Sequence, residues 1–195
     1  MRKTIVAQLK ESSKVLAATA KLAPQIEEAG KALIEAYRRG NKILTFGNGG
    51  SSCDAQNFAD ELVGRYRRNR PSLPAVCLTA SQADLTSIAN DFGFEHVFSR
   101  PLEAHAKPGD IAVGISTSGN SKNVLAALEA AKKLGLITIG LTGGDGGKLK
   151  GVADVVIRVP STSTARIQEA HITVIQIWCG LIEDALFPNA PKAHA

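Results

Sequence analysis

The sequence predicts an α/β fold: a doubly wound, five-stranded parallel sheet with two helices ahead of it and a long helix at its C-terminal end. Three observations lead there. Short apolar runs of strand length, rich in β-branched residues, alternate with longer segments whose apolar residues return at helical spacing. Two of these runs pass directly into Gly- or Ser-rich loops and then into helix, so both loops fall where parallel sheets bind ligands, at the C-terminal ends of strands. The length of 195 residues suits one domain with a sizeable core.

Residues 1–40 read as two amphipathic helices. Ile5, Val6, Leu9, Val15 and Leu16 mark the first, and Leu22, Ile26, Ala29, Leu33, Ile34 and Tyr37 the second. The second stops at Arg38-Arg39-Gly40, with cations and a glycine where a helix end favours them. Their apolar content exceeds a single stripe, which suits a helical extension used in oligomerisation. Lys42–Phe46 is the first strand, followed by Gly47-Asn48-Gly49-Gly50-Ser51-Ser52 and a helix from about Cys53 to Tyr66, with Phe58, Leu62 and Tyr66 on its packed side. Pro74–Leu78 is the next strand. Ser81–Ala89 is a short helix ending in the turn Asn90-Asp91-Phe92-Gly93-Phe94, and Phe94–His105 is helical with Pro101 near its first turn. Ile111–Ile115, Ile137–Leu141 and Val155–Val159 complete the strands; a flexible loop, Thr142–Gly147, and a short helix lie between the last two. Ser161–Phe187 is a polar loop and a long helix with a wide apolar face, and 188–195 is expected to be a disordered tail.

The loop after the third strand, Ser116-Thr117-Ser118-Gly119-Asn120-Ser121, holds four hydroxyls in six residues and opens a helix. Backbone N–H groups, the positive end of the helix dipole and the hydroxyls make it an anion site built from neutral donors. An ordinary N-cap at Ser121 explains the same residues. The glycines of the first loop let the backbone approach a ligand, but neither a dinucleotide fingerprint nor a Walker lysine is present. Asn57 and Glu61 share a helix face at i, i+4. Glu61 reads either as a general base or as a solvent-facing glutamate. His171, embedded in the last helix beside Gln168 and Glu169, reads as a core or interface histidine.

The composition narrows the function. No apolar run approaches the length of a bilayer span, and the N-terminal apolar stretch is broken by Gln8, Lys10 and Glu11, unlike a secretion signal. The net charge of +5 is modest and partly gathered in Arg65–Arg70, a run that suits a solvated helix end or an acidic small ligand as well as it suits nucleic acid, which is not the expected partner. Three cysteines, Cys53, Cys77 and Cys179, without CxxC spacing argue against a disulfide framework and fit a reducing cytoplasm.

GNGGSS at 47–52, DELVGRY at 60–66, NDFGF at 90–94, GISTSGNS at 114–121, LTGGDGG at 141–147 and RIQEAH at 166–171 occur in this order across nearly the whole chain. Together they resemble the sugar isomerase (SIS) domain family, and within it the phosphoheptose isomerases. The resemblance implies one flavodoxin-like SIS domain over 1–195 and a homotetramer with active sites between subunits. It implies conversion of D-sedoheptulose 7-phosphate to D-glycero-D-manno-heptose 7-phosphate, the first step towards the ADP-heptose of bacterial lipopolysaccharide. By position it makes Ser116, Thr117, Ser118 and Ser121 the phosphate cradle. Asn48, Gly49, Gly50 and Ser51 become the second ligand loop, with Asp91, Arg65 and Gln168 as further substrate contacts and Glu61 as catalytic base. An aldose–ketose isomerisation needs such a carboxylate to move a proton between C1 and C2 through an enediol.

Two positions depart from the pattern. Family members usually carry histidine where this chain has Asn57, and a catalytic histidine where it has Gln176. In some members those histidines bind zinc with the counterparts of Glu61 and Gln168. Amides are poor zinc ligands, so no tight zinc site is expected, and Gln176 can bond a substrate oxygen but cannot shuttle a proton near neutral pH. His171 lies about 140° around the helix from Gln176 and is not an obvious substitute. Beside the isomerase stand two alternatives: a non-catalytic SIS tetramer that binds the replication initiator, which the stretch Leu181–Pro188 resembles, and an SIS protein for another sugar phosphate.

Overall fold

The computed structural model describes residues 1–193; 194–195, the end of the expected disordered tail, lie outside the described residues. The strands are β1 (Ile43–Gly47), β2 (Ala75–Cys77), β3 (Ile111–Ile115), β4 (Ile137–Gly143) and β5 (Val155–Val159). They form one all-parallel sheet in the order β2-β1-β3-β4-β5, as a doubly wound, flavodoxin-like chain requires. The helices are α1 (Arg2–Thr19), α2 (Ala23–Arg38), α3 (Gly50–Val63), α4 (Gln82–Phe92), α5 (Ser99–His105), α6 (Lys122–Lys133) and α7 (Thr164–Leu186).

The strand alternation divides the core in two. Ile43, Ile111, Val113 and Ile115 face α2, α3 and α7, where Leu33, Phe58, Leu62 and Trp178 fill the space. Leu44, Phe46 and Ala112 face the other side, against Phe98, Leu102, Val124 and Leu128. Both faces of β1 and β3 are buried, which is why those runs are apolar throughout. Helix α1 packs its apolar residues by its C-terminal half, with Val15 and Leu16 on Val159, Ile167 and Ala170, and its Gln8 carbonyl accepts from Arg166 at 2.7 Å, while Ile5, Val6 and Leu9 stay exposed.

Several boundaries differ from the sequence expectation. Helix α3 starts inside the Gly/Ser loop, at Gly50, because Ser51 and Ser52 already donate to the carbonyls of Asn48 and Gly49 (3.0 Å each). It ends at Val63, so Tyr66 lies beyond it. Helix α4 runs through Asn90, Asp91 and Phe92 and stops at Gly93, whose φ of 93° is open to glycine. The expected helix over Phe94–His105 is divided into a 3-10 turn, Phe94–His96, and α5, with Pro101 in the first turn of α5, where no N–H is needed. After β4 the expected short helix is a single 3-10 turn, Leu149–Gly151.

The end of α3 is set by a buried ion pair. Glu183, on α7, accepts the backbone N–H groups of Tyr66 (2.9 Å), Arg67 (2.8 Å) and Arg68 (3.0 Å) and the Arg70 guanidinium (2.9 Å). Arg70 in turn donates to the carbonyls of Glu61 (2.7 Å) and Leu62 (2.8 Å). The two side chains are 2% and 0% exposed. A cation thus satisfies the last carbonyls of α3, and the basic run 65–70 is an internally bonded connection. The tail through Ala193 follows this connection instead of standing free. Asn69 and Ala193 donate to the carbonyls of Pro191 and Arg67, and Arg68 pairs with Lys192. Among the described residues no helix is long and apolar enough to cross a membrane.

Truncating Glu183 leaves the buried Arg70 guanidinium without its carboxylate and three backbone N–H groups without their acceptor. Glu183→Ala is expected to cost about 3–5 kcal/mol, read as a lowered denaturation midpoint; a loss below about 1 kcal/mol would contradict the role given to this pair.

Candidate active site

The two ligand loops meet where the strand order reverses, at the C-terminal ends of β1 and β3. Asn48 and Asn123 exchange reciprocal side-chain hydrogen bonds of 2.8 and 2.9 Å, which lock the loop after β1 to the first turn of α6. The loop 116–121 is fixed from the other side. Ser116 and Gly143 bond to the carbonyls of Leu141 and Thr117 (3.0 Å each), and Leu149 bonds to that of Gly119 (3.0 Å). Gly119, at φ 65°, lies so close to Gly146 that a Cβ would strike its carbonyl. Ser121 stands at the N-cap of α6, but its side chain caps no backbone N–H; its Oγ accepts from Ser116 Oγ at 3.0 Å instead. The positive end of α6 therefore points into the cleft lined by Asn48, Gly93, Phe94, Ser121, Lys122 and Asn123.

The second polar centre lies farther along α3, where it packs beside α7. Gln176 Nε2 donates to Asn57 Oδ1 (2.8 Å) and Glu61 Oε1 (3.4 Å). Glu61 is therefore held by a neighbour and is not a free surface carboxylate. Near the start of the same helix pair, the Gln168 amide lies against Gly50, where any Cβ would collide with it. His171 is fully buried, bonds the Thr142 carbonyl through Nε2 (3.1 Å), and is pushed down to about 4 by burial, so it is a core residue.

Each expected site residue now has a place. Asn48, Ser116, Ser121 and, near them, Thr117 and Ser118 gather at the switch point; Thr117 and Ser118 also line a second cleft with Gly143, Gly144, Asp145 and Thr162. Gly49 and Gly50 form the turn that starts α3, and Ser51 is buried in its first turn. Asp91 is exposed on the last turn of α4, bonded to the Asn90 amide, two residues before the cleft-lining Gly93. Arg65 stands apart, exposed and bonded to Asn69 beyond the end of α3.

One expected grouping is divided within a single chain. Glu61 and Gln168 are not neighbours in this chain: Gln168 lies about 12 Å along α7 from Gln176, while Glu61 lies about 16 Å along α3 from Gly50. The zinc site implied at Asn57, Glu61, Gln168 and Gln176 does not converge within one chain. The three that do converge supply one carboxylate and two amides, with an NH2 group directed at the oxygens. Among the described residues no group of three or more His, Cys, Asp and Glu is placed to hold a metal. The residues present do not fit zinc.

The SIS domain family profile matches residues 8–143. The chain is 51% identical over 188 residues to the phosphoheptose isomerase of Geobacter sp. strain M21, covering 96% of this chain and 98% of that protein. With the phosphoheptose isomerase of Citrifermentans bemidjiense it shares 52% over 184 residues, covering 94% and 96%. Among solved structures it matches a phosphoheptose isomerase from Neisseria gonorrhoeae with a TM-score of 0.89 at 41% identity, covering 94% of this chain and 98% of that one. A phosphoheptose isomerase from Francisella tularensis matches with a TM-score of 0.90 at 36% identity, covering 93% and 97%.

Three groups at these centres escaped sequence reasoning: Asn123, Lys122 and Asp54. Asp54 lies four residues after Gly50 and seven before Glu61, hence on the same face of α3. Its Oδ2 is buried without a partner among the described residues, and burial raises its carboxyl from 3.8 to about 6. The fold thus favours the neutral acid. Its stabilising effect is complete below the ordinary carboxylate range and is lost as pH rises through about 6. Asp54→Asn is expected to raise the melting temperature relative to the parent at pH 8 and to narrow that gain at pH 4; an equal shift at both would refute the assignment.

Proposed function

The chain belongs to the phosphoheptose isomerases of the SIS-domain family, and from that premise we propose that it interconverts D-sedoheptulose 7-phosphate and D-glycero-D-manno-heptose 7-phosphate. The observation that carries this reading is the pair of locked loops at the β1/β3 edge, with the uncapped start of α6 between them. Fixed backbone N–H groups, the hydroxyls of Thr117 and Ser121 and the Lys122 ammonium suit a phosphate dianion. With the phosphate anchored there, the sugar's carbonyl end is held in place and the reacting carbons need only one base.

Glu61 is that base in this reading. Its carboxylate takes a proton from C1 of the ketose while O2 gains a proton from water, leaving an enediol, and returns the carbon-bound proton to C2 as the O1 hydroxyl gives its proton back to water, so that C1 becomes the aldehyde carbon. No external electron or group is required. Gln176 and Asn57 orient the carboxylate and carry no exchangeable charge near neutral pH.

Within one chain Glu61 and the phosphate loop stand at opposite ends of α3. We therefore place the complete site between copies, the phosphate loops of one facing the Glu61 of another, in a homotetramer. The exposed apolar residues Ile5, Val6 and Leu9 on α1 and Ile177 and Leu181 on α7 support self-association. This enzyme would supply the heptose of the lipopolysaccharide core. Binding without turnover is the second reading, favoured because Asn57 and Gln176 put amides, not imidazoles, beside Glu61.

Glu61→Gln is expected to lower the turnover of sedoheptulose 7-phosphate by about 10²–10⁴-fold while a sugar phosphate still raises the melting temperature. Unchanged turnover would remove Glu61 from the chemistry. A parent chain that is stabilised by the sugar phosphate but never isomerises it supports the second reading.

A further inference from the structure

We propose that the Asn57–Gln176 amide pair occupies the place of a cation in this site, so that the Glu61 carboxylate is held by a neutral donor and the protein works without zinc. The role of Glu61 rests on the functional reading above; the statement about metal does not.

The geometry leaves the amides one arrangement. An ionised carboxylate only accepts hydrogen bonds, so the Gln176 group facing Glu61 Oε1 at 3.4 Å must be its NH2. The same NH2 lies 2.8 Å from the Asn57 side chain, which must then present its oxygen. The nitrogen thus stands between two oxygens, where a shared cation would otherwise draw them together, and its two N–H bonds serve both. Turning the Gln176 amide to offer its oxygen to a metal would set three acceptor oxygens side by side with no donor among them. A zinc ion there would find a single anionic ligand and two weak carbonyl donors, and Gln168 is too far along α7 to join from the same chain. Binding would have to break a satisfied network and replace it with a poor coordination shell.

The pair also explains why both positions differ together. Gln176 needs an acceptor, and Asn57 on the neighbouring helix α3 supplies one at 2.8 Å.

The test is zinc binding to the full-length protein after treatment with EDTA, measured by calorimetric titration and by metal content after dialysis. Melting temperature with and without zinc chloride and turnover of sedoheptulose 7-phosphate accompany it. The expected result is no zinc retained at this site, no zinc-dependent shift in melting temperature, and turnover equal within about twofold in EDTA and in zinc. Zinc that persists unchanged in the Glu61→Gln variant is bound elsewhere, for example at the exposed Cys53, and agrees with the proposal. One zinc per chain that is lost in Glu61→Gln or Gln176→Leu, together with turnover that needs zinc, overturns it. The double variant Asn57→His/Gln176→His is expected to gain zinc and a higher melting temperature on adding it. If that variant fails to fold, the parent titration still decides. A parent that ignores zinc and never isomerises the heptose phosphate supports the metal-free site and overturns the functional reading.

Discussion

Helices α3 and α7 lie side by side on one face of the sheet and run in the same direction, and that packing sets the position of nearly every polar group of interest. Its apolar seam includes the Phe58 and Trp178 rings, 5.9 Å apart, with Trp178 Nε1 donating to the Ile26 carbonyl at 2.9 Å. Along the seam three polar contacts follow in register. Gly50 meets Gln168, Asn57 and Glu61 meet Gln176, and the connection 66–70 meets Glu183. Because both helices rise about 1.5 Å per residue, these contacts cannot be shifted independently. Moving one helix by a turn would break all three.

The packing also separates two kinds of chemistry. The N-terminal ends of α3 and α6 collect neutral donors at the sheet edge, suited to a phosphate dianion. Glu61, the carboxylate proposed as the base, stands near the other end of α3. A single chain therefore keeps the two groups of residues about a helix length apart, and its exposed apolar residues include Ile5, Val6 and Leu9 on α1 and Ile177 and Leu181 on α7. On the proposed reading function and association become one requirement: a substrate that spans both chemistries needs a second copy to bring them together.

The sheet was legible in the sequence because its central strands β1 and β3 are buried on both faces and the strand–loop–helix units repeat the same pattern of apolar run, small residues and helical period. The boundaries were less so. Whether Ser51 begins a helix or ends a loop depends on the backbone bonds to Asn48 and Gly49, which no side-chain pattern encodes. The stretch Arg65–Arg70 reads as a solvated basic patch, yet its backbone and Arg70 are claimed by Glu183, more than 100 residues away in sequence. Glu61 could not be told from a surface glutamate by spacing alone; only the family motifs singled it out, and only the fold showed Gln176 beside it. The separation of Glu61 from Gln168 was hidden for the opposite reason, since motifs aligned across a family carry no information on which copy of the chain contributes each residue.

Glu61 occupies a difficult place for an anion. It lies in the last turn of α3, where the carbonyl ends of the helix concentrate negative potential. Arg70 offsets this directly by donating to the Glu61 and Leu62 carbonyls, but a guanidinium buried to that degree needs an anion of its own. Glu183 is that anion, and it reaches Arg70 only because α7 holds its register beside α3. The Gln176 amide then adds a donor to the carboxylate itself without adding charge. Four residues on two helices and one connection thus form a chain of dependence: α7 fixes Glu183, Glu183 fixes Arg70, Arg70 closes α3, and the closed helix end holds the carboxylate in place. The amides at 57 and 176 fit this scheme because the helix end is already closed by Arg70 and its partner Glu183, and the Gln176 N–H gives the carboxylate a direction to point in without adding charge.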